Sequence, residues 1–283
     1  MKKLIRLALA CEYQRRPIRR AEISEKVLGA QQGRQFKSVF EDAQTQLRSV
    51  FGMEMVELPA REKVTVREKR SQKDGGAGAA VKSAASWVLT SILPSEFHDP
   101  EILPPTAAPT ASEEATYTSL YTVLISLISL SGGSLPEAKL DRYLRRLGME
   151  DNTPVTGYGK TEQLLKRMER EGYLLKVKES VGAGEEDISW HVGPRGKVEV
   201  GRNGVRGLAD AVYGYFEDGG EEAELQRRLT RSLAWMDEDE ERARASGEKQ
   251  KLAEARAASG KKRGRPRKKD VEAEEDEEDD DDE

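Results

Sequence analysis

One ordering of periodicities constrains this chain more than anything else in it: three helical stretches, then two strand-like ones, and later the same order again. In residues 1–16, Leu4, Leu7, Ala8 and Cys11 share a helical face, with Lys3, Arg6 and Gln14 opposite. Pro17 suits a break, and "IRRAEISEKVLG" predicts a second helix with Ile18, Ile23, Val27 and Leu28 inward and a stop at Gly29. "GRQFKSVFEDAQTQLRSVFG" predicts a third, with Phe36, Val39, Phe40, Ala43, Leu47 and Val50 inward and Gly52 ending it. "MEMVEL" and "SWVLTSIL" then alternate as strands do.

The order returns after a Pro-rich stretch. "TYTSLYTVLISLISLSGG" predicts a strongly apolar helix closed by Gly132 and Gly133. "SLPEAKLDRYLRRLG" opens on Ser134 as N-cap, with Pro136 and Glu137 in its first turn and Leu140, Tyr143, Leu144 and Leu147 inward. "YGKTEQLLKRMEREGY" packs through Leu164, Leu165 and Met168 and stops at Gly172. "YLLKVKES" and "DISWHVGPRG" predict two strands, and "GLADAVYGYF" and "EEAELQRRLTRSLAWM" two closing helices. The fold class is therefore mainly α with small β-wings (α+β): tandem winged-helix domains with a disordered C-terminal tail. The first domain covers residues 1–94 with a mobile loop at 61–85, a connector runs over 95–115, the second domain with its closing helices spans 116–235, and the tail occupies 236–283.

The net charge of −5 conceals an uneven distribution. Residues 1–260 balance, 261–269 add seven positives, and 270–283 add twelve negatives. Such runs of like charge stay disordered, because they bury too little apolar surface to offset chain entropy. Cys11 is the one cysteine, which excludes an internal disulfide framework and a cysteine-based zinc cluster. His98 and His191 leave little for imidazole chemistry, and His191 reads as a satisfied strand histidine. Glu137 and Asp141 sit among cations as surface residues, and the glycines at 75–78 lack the Lys-Ser/Thr of a phosphate loop. No catalytic constellation emerges; the chain reads as a non-enzyme with no cofactor and no metal. "MKKLIRLALAC" has the look of a secretion signal, but Arg6 cuts its apolar run short, so the helical reading stands. No apolar run reaches membrane-spanning length, so no membrane partner is expected.

The chain resembles the MAGE (melanoma-antigen) homology domain family over residues 3–235. The resemblance is carried by "LYTVLISLISLSGGSL", "LRRLG", "YGKTEQLLKRMEREGYL" and above all "WHVGPRG", and in the first unit by "RRPIRRAEISEKVL" and "VFGMEMVEL". Most animal members partner RING-type ubiquitin ligases. One member, to which this chain is most similar, joins a kleisin and a RING-type subunit in the Smc five–six chromosome-maintenance complex, which binds DNA in genome repair. That resemblance implies a nuclear, chromatin-associated scaffold. The alternatives it leaves are a ligase regulator outside that complex and a stand-alone AT-hook chromatin factor. In the family a leucine pair on the first helix contacts the RING partner; the matching positions here are Ala8 and Leu9, with Leu4 on the same helix, so one leucine is missing. The kleisin is bound by the second unit, where Leu127 and Leu130 on the apolar helix are either core or the edge of a partner groove.

Two further features point to double-stranded DNA. In the tail, Arg263-Gly264-Arg265-Pro266 resembles an AT-hook. Arginine is drawn into the narrow, negative minor groove, Gly264 has no Cβ to strike its wall, and Pro266 keeps the chain extended. Lys261, Lys262, Arg267, Lys268 and Lys269 are positioned for phosphates. The same run also fits a nuclear-import signal or a plain solvated stretch. The acidic block beside it is a shield for the hook, a handle for basic partners, or a solubilising tail. In the second unit, Arg142, Arg145, Arg146, Lys160, Lys166, Arg167, Arg170, Lys176 and Lys178 form either a phosphate-contacting face or a salt-bridged exposed one.

Overall fold

A computed structural model describes residues 1–29, 35–59, 85–98, 110–150, 153–155, 158–180, 186–213 and 219–237. Helix α1 (Lys2–Tyr13) buries Leu4, Ile5, Ala8 and Cys11 on the face its spacing predicts. The next helix begins later than expected. Ile18–Arg19 form strand β1, paired antiparallel with β3 (Ser86–Ser91) through Ile18 opposite Trp87, and α2 covers Arg20–Ile23. Arg19 is extended (φ −94°, ψ 140°), a conformation that a long-range strand pairing selects over a local helical tendency. A π-helical turn, Ser24–Leu28, continues α2, and another, Leu47–Phe51, continues α3 (Phe36–Gln46) to the left-handed Gly52. That second turn corrects one expectation. Its i→i+5 bonds widen the turn and shift the apolar face, so Val50, expected inward, is 69% exposed. Strand β2 (Met53–Glu57) pairs with β3 from Met53–Ser91 to Glu57–Trp87, giving the sheet order β1-β3-β2.

Helix α4 (Ala111–Leu130) starts inside the stretch expected to be connector. Thr110 and Glu113 form a reciprocal capping box, each side chain accepting from the other's backbone N–H (3.3 and 3.1 Å). Ser134 is not a cap, because Ser134–Pro136 is strand β4, paired with β8 (Glu186–Val192) through Leu135 opposite Trp190; Pro136 occupies the N-cap position of α5 (Glu137–Arg146) without a side-chain capping bond. A small hairpin, β5 (Pro154–Val155) with β6 (Gly159–Lys160), leads into α6 (Thr161–Glu171), which ends at the left-handed Gly172. Strand β7 (Leu174–Ser180) pairs with β8, and the order β4-β8-β7 repeats that of the first sheet. The strand expected to run through "GPRG" stops at Val192, since Pro194 occupies the first turn of α7 (Pro194–Glu199). Helices α8 (Gly201–Tyr213) and α9 (Gly219–Ser232) follow.

The chain is thus mainly helical with small antiparallel sheets. Its buried apolar residues form two separate clusters: one from Leu4 to Leu89, including Ile18, Ile23, Leu47 and Trp87, and one from Tyr117 to Met236, including Ile125, Ile128, Leu164, Met168 and Trp190. Both lie in one unit, Met1–Glu240. No helix among the described residues is long and apolar enough to cross a membrane. The expected loop at 61–85 (Ala85 apart), residues 99–109 of the expected connector, and the tail beyond 237 lie outside the described residues.

Candidate partner and nucleic-acid interface

The "WHVGPRG" segment is built for close approach. A Cβ on Gly193 would stand 2.2 Å from the Gly172 carbonyl oxygen, and one on Gly196 would stand 2.8 Å from both Ile125 and the Tyr173 carbonyl. The glycines let the turn lie flat on the start of β7, where Gly193 N–H donates to Tyr173 O (2.8 Å) and Arg195 N–H to Gly172 O (3.0 Å). This backbone placement sends the Arg195 side chain into the interior, where it is 1% exposed.

Around Arg195 a polar seam joins the two halves. Its Nη2 donates to Glu12 of α1 (2.8 Å), its Nε to Glu199, and its guanidinium lies over the Tyr173 ring. Tyr173 Oη donates to Glu199 (2.7 Å) and accepts from Arg15, which also pairs with Glu114 and covers the Tyr117 ring. Tyr117 in turn donates to Glu171 (2.7 Å), held on its other oxygen by Arg167 Nε (2.8 Å). Tyr121 stacks on Tyr173 with ring centres 4.2 Å apart. Burial, reinforced by the Glu171 bond, pushes the Tyr117 hydroxyl far above its usual range; burial and then the Glu199 charge do the same to Tyr173. Both stay neutral donors. Burial also raises the Glu12 carboxyl, outweighing the opposite pull of Arg195.

The seam changes the standing of several residues singled out from sequence. Arg167, grouped with the DNA-facing cations, is tied to Glu171 and lies over Tyr117 and Tyr158. Lys176 pairs with Glu137 (2.7 Å) above the Trp190 ring, Lys166 with Glu162 (2.7 Å), and Lys178 with Glu186 (3.1 Å). Lys160 is exposed at the start of α6. Arg142, Arg145 and Arg146 on α5 and Arg170 on α6 are exposed and make no ion pair with a described residue.

On α1, Leu4 and Ala8 are fully buried in the first core and have no surface to offer, whereas Leu9 is half-buried. Tyr13, which the sequence reading passed over, is 68% exposed on the same helix. On α4, Leu127 is half-buried against the second core and Leu130 is exposed at its end. Val50, Phe51 and Ile92 are also exposed, where α3 passes into β2 and β3 ends; no local signal separates such residues from core positions. His191 sits half-buried on β8 with Nε2 3.1 Å from Ser189 Oγ. Among the described residues no group of His, Cys, Asp and Glu could hold a metal ion. The tail cations Lys261–Lys269 lie outside the described residues.

With repeated sheet order and a glycine-built "GPRG" turn in place, the chain belongs to the MAGE homology domain family, whose model matches residues 4–203. Among individual proteins it is similar to "Non-structural maintenance of chromosome element 3" of Schizosaccharomyces pombe, 26% identical over 229 residues. That alignment takes in 77% of this chain and 64% of the relative, so the chain spans a little under two thirds of the relative's length. Among solved structures it matches a chain of the "Nse1-Nse3-Nse4 complex" with a TM-score of 0.61 at 18% identity, covering 82% of this chain and 94% of that one. The second likeness is one of fold. The resemblance read from "WHVGPRG" and its companions is borne out, for the family and for its chromosome-maintenance member.

Proposed function

We propose that this chain is a non-enzymatic scaffold subunit of the Smc five–six chromosome-maintenance complex, bridging the kleisin and RING-type subunits and binding DNA in the nucleus. The observation that carries the reading is the alignment with the fission yeast chromosome element over 229 residues. The fold match to a chain of a three-protein complex supports it. In this reading each half is a winged helix, near residues 1–94 and 116–200. Leu9 and Tyr13 on α1 meet the RING-type subunit, and Leu127 with Leu130 edge the groove that receives the kleisin. Arg142, Arg145, Arg146 and Arg170 touch phosphates without reading bases, and Arg263 with Arg265 enter the minor groove. The seam occupies the charged side chains nearest to it with structural work, which leaves the outer faces for partners.

Affinity purification of the tagged full chain from its own cells tests this. Recovery of SMC and kleisin subunits in stoichiometric amounts is the expected result. Recovery of a lone ligase, or of chromatin without SMC subunits, would overturn it.

A further inference from the structure

The C-terminus of α1 carries a conformation its sequence does not favour. Arg15 N–H donates to Glu12 O (2.8 Å) and Arg16 N–H to Cys11 O (3.0 Å), the paired bonds of a Schellman cap. The residue at the left-handed position of such a cap is usually glycine, because a Cβ is disfavoured there. Here it is Arg15, at φ 51°, the one non-glycine residue with positive φ among those described. Something must hold it in place. Its side chain spans to the second half, bonding Tyr173 Oη, pairing with Glu114 and covering the Tyr117 ring. Three residues earlier, Glu12 accepts from the buried Arg195. The apolar cores of the two halves are separate clusters, so these polar links, and not a shared core, cross the boundary.

We infer that Glu12 and Arg15 form a latch that fixes the orientation of the two halves, with Arg15 held in the left-handed conformation by its seat between Tyr117, Tyr173 and Glu114. The latch is polar and local, and its seat in the second half includes Tyr117 and Tyr173 of the second core cluster. Buried ion pairs and aromatic contacts hold geometry well while a partner is present on each side, and poorly once one is removed. The inference stands apart from the scaffold assignment: it concerns how the halves are joined, whatever they bind.

The test uses the full chain with Arg15→Gly and, separately, Glu12→Ala. Glycine accepts the left-handed backbone, so Arg15→Gly keeps the cap and removes the side chain alone. Far-ultraviolet circular dichroism and the fluorescence of Trp87 in the first core and of Trp190 and Trp235 in the second should match the parent. Amide exchange at residues 13–16 and 173–175 should accelerate about tenfold or more, as expected for loss of charge-assisted contacts. Small-angle scattering should then require a wider spread of separations between the halves. Parental exchange and scattering in both variants would overturn the latch. So would loss of either core signal in Arg15→Gly, because the seam would then be part of a shared core.

Discussion

The two halves share one path through space and close it differently. Each runs helix, short strand, helix, helix, hairpin; each sheet has the order first-third-second; each last helix stops at a left-handed glycine, Gly52 or Gly172. In the first half, Phe36 and Phe40 lie tilted against Trp87 but only half-buried, and Val50 and Phe51 are exposed. In the second, α8 packs on α4, Leu233 and Met236 beyond α9 enter the core, and the Trp235 indole donates to Ser129 O (3.0 Å). The same topology therefore tolerates a lean core in one place and needs added helices in another. What differs is α4, whose C-terminal half from Leu120 is apolar on most sides, whereas α1 is amphipathic. A helix without a polar face must be covered on several sides, and the extra C-terminal helices do that.

The largest expected effect contrasts the two glycine-dependent corners. Gly193→Ala would drive a Cβ into backbone, the Gly172 carbonyl oxygen at 2.2 Å. We expect a loss of about 3 kcal/mol or more, or failure of the second half to fold. Gly52→Ala meets the Leu93 side chain, at 2.7 Å, and a left-handed backbone; the side chain can yield, so about 1–2 kcal/mol is expected. Urea unfolding followed by tryptophan fluorescence checks both. Equal losses would mean the two corners are built alike after all.

The next prediction asks whether the halves serve different partners. Leu127→Gln with Leu130→Gln should reduce kleisin binding by about tenfold or more while RING-subunit binding is retained. Leu9→Ala with Tyr13→Ala should do the reverse. Circular dichroism confirms that each variant is folded, and titration against the isolated subunits reads the affinities. If both pairs affected the same partner, the division between halves would fail.

A smaller effect is expected on DNA. Arg142→Ala, Arg145→Ala and Arg146→Ala together should weaken binding to all sequences alike and lower the salt slope by about 3. Arg263→Ala with Arg265→Ala should instead weaken A·T-rich duplexes most. Fluorescence anisotropy across a salt series separates the two; an unchanged slope in the triple variant would leave the α5 face a solvated one.

The smallest effect contrasts two glutamates across pH. Burial raises Glu12, so the folded chain holds that proton more tightly than the unfolded chain; the stability it brings is present below about pH 4.3 and lost as pH rises through the folded value. Glu22, lowered chiefly by the hydrogen bond from Lys26, has the opposite sign: its contribution is present above the unfolded value and lost as pH falls through the folded one. Glu12→Gln should therefore flatten the fall in stability as pH rises above about 4.3, and Glu22→Gln should flatten the loss as pH falls below it. Chemical unfolding at several pH values reads the slopes, and parallel slopes would remove the contrast.

Much of this was legible along the chain, and for a local reason. The faces of α1 and α6, the stops at Gly52, Gly132 and Gly172, and the strands at Met53, Ser86 and Leu174 all follow from spacing and backbone preference within a few residues. The capping box Thr110–Glu113 is equally local, and the prolines just before it mask it by pointing to a connector. The family resemblance is carried by several segments in order, "WHVGPRG" above all, and that motif points to the fold without disclosing the role of its arginine there.

Other features were decided only when distant segments met. Strands β1 and β4 exist because β3 and β8 offer them partners, and two or three residues carry no periodicity of their own. Leu7 and Ala8 share one predicted face of α1, yet the packing buries the second fully and leaves the first half-open. Arg167 and Arg170 sit one turn apart with the same charge; the Tyr117–Glu171 pair claims Arg167, and nothing described claims Arg170. Arg195 has the composition of a surface residue and became the most buried cation among those described because its turn has no side chains at 193 and 196. Periodicity determines which face of an element is apolar. Whether a charge ends in solvent or in a seam depends on which residues a hundred or more positions away fold against it, as Glu12 does on Arg195.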